Sequence, residues 1–141
     1  MIRIGIAGFG KIGQLRYQIL SRHNGFEVVS ILEKNQETVI PEGVSRAKTY
    51  QELLDQDLDA VIICAFNDVL AEYTLEALKK NIHVFCEKPP ARTVKELMDV
   101  SAEYKESNVV LKYGFNHRYH YSVIEAKRMI SEGKFGKLIS V

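Results

Sequence analysis

Three glycines, Gly8, Gly10 and Gly13, stand in the order G-x-G-x-x-G directly behind the apolar run IRIGIA (Ile2–Ala7). By itself the spacing marks only a tight turn. Its weight depends on whether a strand leads into it, a helix leaves it, and an acidic residue follows about twenty positions on. The rest of the chain supplies that context.

Short runs rich in β-branched residues recur: IRIGIA, EVVSIL (Glu27–Leu32), AVIICA (Ala60–Ala65), HVFC (His83–Cys86) and VVLKY (Val109–Tyr113). They read as strands, and the nearly continuous apolar ones read as strands buried on both faces. Helical patterns separate them. Ile12, Leu15, Ile19 and Leu20 recur at helical spacing after Lys11, and Asn24-Gly25 supplies a stop. Thr49 with Glu52, Thr93 with Glu96 and Ser122 with Glu125 have the spacing of capping boxes, each opening a helix. Leu70, Tyr73, Thr74, Ala77 and Leu78 mark a further helix ending near Asn81, and Gly133 closes the last one. Strands alternating with helices predict an α/β fold with a doubly wound parallel sheet. KLISV (Lys137–Val141) reads as a strand begun at the end of the chain, so the sequence is expected to be the front part of a longer polypeptide.

Composition narrows the function classes. The 141 residues carry 19 basic and 18 acidic side chains, a net charge of +1, with no basic tract. Nucleic acid is therefore not an expected partner. No apolar stretch approaches a membrane span, and Met1 leads straight into a strand-like run, so a soluble, cytoplasmic protein is expected. Cys64 and Cys86 sit in apolar runs and read as core residues. His117 and His120 are too few for a metal site, and His23 and His83 read as turn and strand residues.

With strand before and helix after, the glycines acquire their meaning. Gly8 permits the tight turn, Gly10 lets the main chain approach a pyrophosphate, and Gly13 lets the helix pack close to the strand. The helix N-terminus presents free N–H groups to the anion, and Phe9, Lys11 and Ile12 are carried to the same place. Glu33, twenty residues beyond Gly13, ends the second strand, where a carboxylate accepts hydrogen bonds from an adenosine ribose. That carboxylate favours NAD over NADP, whose 2′-phosphate it would repel; Lys34, next in sequence, is the residue that could soften the preference.

At CEKPP (Cys86–Pro90) the sequence resembles the Gfo/Idh/MocA-type oxidoreductases, named for glucose–fructose oxidoreductase and inositol dehydrogenase. GFGKIG, DLDAVIICAFN, ALKKNIHVFCEKP, YGFNHRY and ISEGKFGKLISV fall in that family's order, so the resemblance covers the whole chain. It implies an NAD(P)-binding Rossmann domain over residues 1–120, with 121–141 leading into a C-terminal α/β domain that binds substrate and mediates homo-oligomerisation. It implies hydride exchange between a nicotinamide and a carbinol carbon of a sugar, cyclitol or sugar derivative. Lys88 would be catalytic, donating to the reacting hydroxyl, with Glu87 beside the cofactor. Ala65, Phe66 and Asn67 would contact the cofactor, and Asn116 and Arg118 would lie near the nicotinamide or substrate. Two departures stand out. AFND (Ala65–Asp68) lacks the family's usual proline, and His117-Arg118-Tyr119 replaces an Arg-Arg-aromatic segment. The isolated chain is expected to bind nucleotide without turnover. A cofactor-sensing relative of the same fold is the alternative from another class; a dehydrogenase of amino-acid precursors fits the Glu-Lys-Pro context less well.

Overall fold

The computed structural model describes residues 1–137 and 139. In chain order the elements are β1 (Ile2–Ala7), α1 (Lys11–Leu20), β2 (Phe26–Leu32), β3 (Ser45–Ala47), α2 (Tyr50–Leu54), β4 (Ala60–Ile63), α3 (Leu70–Lys79), β5 (His83–Cys86), α4 (Val94–Glu106), β6 (Leu111–Tyr113) and α5 (Tyr121–Ser131). A short 3-10 turn (Asn116–Tyr119) joins β6 to α5. The strands form one six-stranded sheet in the order β3-β2-β1-β4-β5-β6, with every pairing parallel. The expected doubly wound sheet is present, with its order reversing between β1 and β4. That reversal opens a crevice at the C-terminal ends of the strands.

Alternation along the strands divides the core. Ala7, Leu32, Val61, Ile63, Val84 and Cys86 point to one face and are covered by Leu53 of α2, Leu70 and Leu78 of α3, and Val100 of α4. Ile4, Ile6, Ile31 and Ile62 point to the other, where Tyr17 and Leu20 of α1 pack. Ile6, Ile31 and Ile63 are completely buried, and each such side chain contributes about 1.5–3 kcal/mol through apolar burial. The central strands are therefore doubly buried, as their apolar runs require.

Two of the three capping boxes form their threonine half, while Glu52 and Glu96 accept from the N–H groups of Lys48 and Arg92, one residue before each cap. Thr49 and Thr93 accept at 3.1 Å from the N–H groups of Glu52 and Glu96, each cap contributing about 1 kcal/mol. The third does not. His120 is the N-cap of α5, without a side-chain cap bond, and Ser122 lies within the first turn. Glu125 instead binds Arg128 at 2.5 Å, so a local ion pair takes the carboxylate that the box would have used. Asn81 has φ 56°, the left-handed stop expected after α3, and Gly133 at φ 71° follows α5 in the same way. β3 has no counterpart in the sequence-based expectations, and the last strand begins at residue 111 rather than 109. Leu138, Ser140 and Val141, which carry most of the expected terminal strand, lie outside the described residues.

Candidate functional site

The glycine turn joins β1 to α1, and its geometry follows from three different needs. Gly8 has φ 92°, and a Cβ there would lie 2.6 Å from the carbonyl oxygen of Cys64. Only glycine fits such a left-handed position beside another main chain. A Cβ on Gly13 would lie 2.1 Å from the oxygen of Gly8, so helix and strand approach to backbone contact. Gly10 is the opposite case: its Cβ would meet nothing within 4 Å. The space above it is open, which suits a ligand resting on the main chain.

The start of α1 differs from those of α2 and α4. Gly10 as N-cap offers no side-chain oxygen, and the first turn holds no acidic residue. α2 and α4 are both capped by threonine. The α1 terminus thus keeps N–H donors and the positive end of its dipole for an anion from outside.

A cleft of about 470 Å³ lies over this terminus. Gly8, Gly10, Lys11 and Ile12 form one wall, Glu33 and Lys34 a second, and Ala65 and Phe66 a third. The Glu33 carboxylate is held on both sides, accepting from the N–H of Phe9 at 2.7 Å and from that of Asn35 at 2.8 Å. Each oxygen keeps a further lone pair for a hydroxyl donor. Phe9 and Gly13 are buried beneath the turn rather than in the cleft wall. Asn67 is exposed just outside it, while Leu32, Asn35, Thr38, Cys64, Asp68, Val69 and Tyr73 complete the lining. None of these seven was singled out from sequence as cofactor-binding. The exposed residues after β2 carried no periodic signal, and the others read as strand or helix.

The Glu87-Lys88 segment leaves β5 at the same sheet edge, outside the cleft lining. The N–H of Glu87 donates to Ile63 at 2.9 Å and that of Gly114 to Cys86 at 2.8 Å, tying the segment to the ends of β4 and β6. Arg16 of α1 reaches Glu87 with Nε at 2.9 Å and with Nη2, a pair joining residues 71 positions apart. The same guanidinium lies 4.8 Å from the centre of the Phe85 ring. Gly114 packs directly against the Glu87 carboxylate: a Cβ there would come within 2.7 Å of Glu87 Oε2 and push that side chain aside. Lys88 is exposed at the end of this braced segment, and its peptide bond to Pro89 is cis. Asn116 and Arg118 lie in the 3-10 turn beyond β6, both exposed, with Arg118 placed 5.7 Å from the Phe115 ring centre. The structure thus gathers the glycine turn, Glu33, Lys34, Ala65 and Phe66 around one cleft, and leaves Lys88, Asn116 and Arg118 along the adjoining edge.

Arg16 was not singled out from sequence. Its side chain is 24% exposed and that of Glu87 15%, so removing one charge leaves the other partly desolvated. Arg16→Met is expected to lower stability by about 2 kcal/mol, the range for a charged hydrogen bond, seen as a lower urea midpoint at unchanged slope. An unchanged midpoint would show that Glu87 does not depend on this partner.

The thiols differ from each other. Cys86 is fully buried within the α2–α3–α4 side, whereas Cys64 is half-buried and lines the cleft. Burial pushes Cys64 up to about 12, with the Glu87 carboxylate adding and Arg16 opposing. Burial likewise raises Cys86 to about 11. Neither is poised as a nucleophile. His83 accepts from the N–H of Val110 at 2.8 Å, a structural role at the β5–β6 junction. Among the described residues, no three ligating side chains gather as a metal site, and no helix is long and apolar enough to cross a membrane.

An open anion-receiving helix start, a braced carboxylate beside it and a cleft at the sheet's switch point define a dinucleotide-binding domain. The chain belongs to the Gfo/Idh/MocA oxidoreductase family with an NAD-binding Rossmann fold, whose model matches residues 2–115. It is 31% identical to the inositol 2-dehydrogenase of Salmonella typhimurium over 99% of this chain and 44% of that protein. Against the D-glucoside 3-dehydrogenase of Escherichia coli the identity is 26%, over 97% of this chain and 41% of the other. Among solved structures, the myo-inositol 2-dehydrogenase of Lactobacillus plantarum superposes with a TM-score of 0.89 at 26% identity, covering 98% of this chain and 43% of that one. The chain therefore spans less than half the length of these relatives.

Proposed function

We propose that this chain forms the cofactor-binding part of an NAD-dependent dehydrogenase acting at a carbinol carbon of a sugar, cyclitol or sugar derivative. The observation that carries this reading is the α1 terminus. Its N–H donors have no side-chain cap, open space lies above Gly10, and the braced Glu33 carboxylate faces the same cleft. These features fit a pyrophosphate and the ribose next to it. Lys11, in the cleft wall, adds positive charge for the phosphates. When bound, the nicotinamide supplies the hydride acceptor or donor. The chain's own part is to bind, to orient, and to bring the Lys88 ammonium to the edge where the reacting hydroxyl lies. An ammonium there donates a hydrogen bond to a developing alkoxide or carbonyl oxygen. The relatives named for inositol and glucoside oxidation support a polyhydroxylated substrate. The domain division at residue 120, homo-oligomerisation and a role for Asn116 and Arg118 at the nicotinamide end belong to the same proposal.

Cofactor choice tests it directly. Glu33 can accept from the 2′-hydroxyl of NAD and opposes the 2′-phosphate of NADP, a difference of about tenfold after screening. Calorimetric titration with both dinucleotides should show NAD binding more tightly, and Glu33→Ala should narrow the gap from both sides. Equal affinities in the unaltered protein would assign the site to Lys34 or another cation instead.

A further inference from the structure

The loop that carries Glu33 has no regular element of its own. Between the end of β2 at Leu32 and the start of β3 at Ser45 the chain forms no helix, unlike the crossovers through α1, α2, α3 and α4. Its shape is nevertheless determined by polar contacts. The Asn35 side chain accepts from Glu37 at 3.0 Å, and the Asn35 carbonyl accepts from Thr38 at 3.2 Å, giving a tight local turn. Across that turn lies Arg46, at the centre of β3 and paired in register with Ile31 of β2. Its Nη1 donates to the carbonyls of Glu33 at 3.1 Å and Asn35 at 3.3 Å, and its Nη2 donates to the carbonyl of Thr38. One planar guanidinium thus gathers carbonyls spread over six residues, and Glu33, Lys34, Asn35 and Thr38 all line the cleft.

An arginine close to the ribose end of a dinucleotide cleft ordinarily reads as a receptor for the NADP 2′-phosphate. Here the geometry has the opposite sense. Three of the five Arg46 N–H donors are directed at the main-chain oxygens of Glu33, Asn35 and Thr38, whereas the Glu33 carboxylate takes its own hydrogen bonds from the N–H groups of Phe9 and Asn35, and Arg46 does not line the cleft. We infer that Arg46 is a positioning residue for cofactor choice: it clamps the 33–38 loop so that Glu33 meets the ribose, and so favours NAD while contributing nothing to a 2′-phosphate. This inference rests on the reading of Glu33 above. Its chemistry depends on the fork of the guanidinium, because a lysine ammonium is a point donor that cannot span the same carbonyls.

The test is a set of NAD and NADP titrations of the protein carrying Arg46→Met, Arg46→Lys, Glu33→Ala, or Arg46→Met with Glu33→Ala, each checked by thermal melting. Arg46→Met should weaken NAD and, by releasing Glu33, ease the opposition to NADP, so that the roughly tenfold preference collapses. Arg46→Lys, which keeps the charge and is the gentler change, should lose most of the preference as well. In the Glu33→Ala background, Arg46→Met should change the ratio no further. A lower melting temperature with the NAD-to-NADP ratio intact in both Arg46 variants would overturn the inference and leave a merely structural arginine. NADP losing more affinity than NAD would overturn it in favour of a phosphate receptor. The two readings fail separately: a Glu33→Ala protein with an unchanged ratio removes the role of Glu33 itself. A ratio narrowed by Glu33→Ala but not by the Arg46 variants removes only the clamp.

Discussion

In the full-length protein, Lys88→Ala is expected to lower kcat by about 100-fold or more, the range for losing a positioned proton-transfer or polarising group. NAD affinity should barely move, since Lys88 stands outside the cleft that Gly10 and Glu33 share. Steady-state kinetics with a polyol substrate, set beside a binding titration, separates the two effects. The expectation rests on how the segment is held. Glu87 is anchored to Ile63, to Arg16 and against Gly114, so Lys88 leaves the sheet from a fixed point with its side chain exposed. A kcat close to that of the unaltered protein would make Lys88 a bystander, and a cofactor-sensing role would then describe the chain better.

The second large effect separates two glycines of one motif. Gly13→Ala places a methyl 2.1 Å from the Gly8 carbonyl oxygen, and neither main chain can yield without moving the helix off the strand. A loss of about 3 kcal/mol is expected, or about 10 °C in melting temperature, with nucleotide binding impaired as a consequence. Gly10→Ala meets nothing within 4 Å and leaves the backbone at φ −68°, so the apo fold should keep or slightly raise its melting temperature. NAD affinity should still fall by about tenfold or more, because the methyl takes the space over which the pyrophosphate would lie. Differential scanning calorimetry with and without NAD reads both outcomes. If Gly10→Ala bound NAD as tightly as before, the anion would not rest on this turn.

These glycines were legible because their constraint is local: a turn, a helix start and a close approach are all written within six residues. Glu33 was legible for a related reason, since a strand of known length fixes where its end falls. β3 was not, because Ser45–Ala47 is three residues long, contains an arginine and shows no alternation. Without β3 there was no place for Arg46, and so no view of the loop it holds. The false capping box at Ser122 shows another limit. The motif states that Glu125 could reach back, but it does not state that Arg128 offers the carboxylate a competing partner. Arg16 and Glu87 meet only after β1 and β5 have taken their places in one sheet, and nothing near either residue announces the other. The apolar pattern carried the sheet, but long-range polar pairing carries much of the site's bracing, and it leaves no periodic trace.

The two thiols give this fold a pair of chemical clocks. Cys64 lies in the cleft wall and Cys86 is sealed beneath α3, and burial moves both still further from ionisation than an ordinary thiol, which is already protonated at neutral pH. A thiol reagent therefore meets them through different doors. Cys64 stands in the cleft wall, so its labelling is expected to slow when a nucleotide fills the cleft. Cys86 becomes accessible only when the helical layer lifts from the sheet, so its labelling keeps time with global opening. One chain, treated with one reagent, thus distinguishes leaving the nucleotide from leaving the native state.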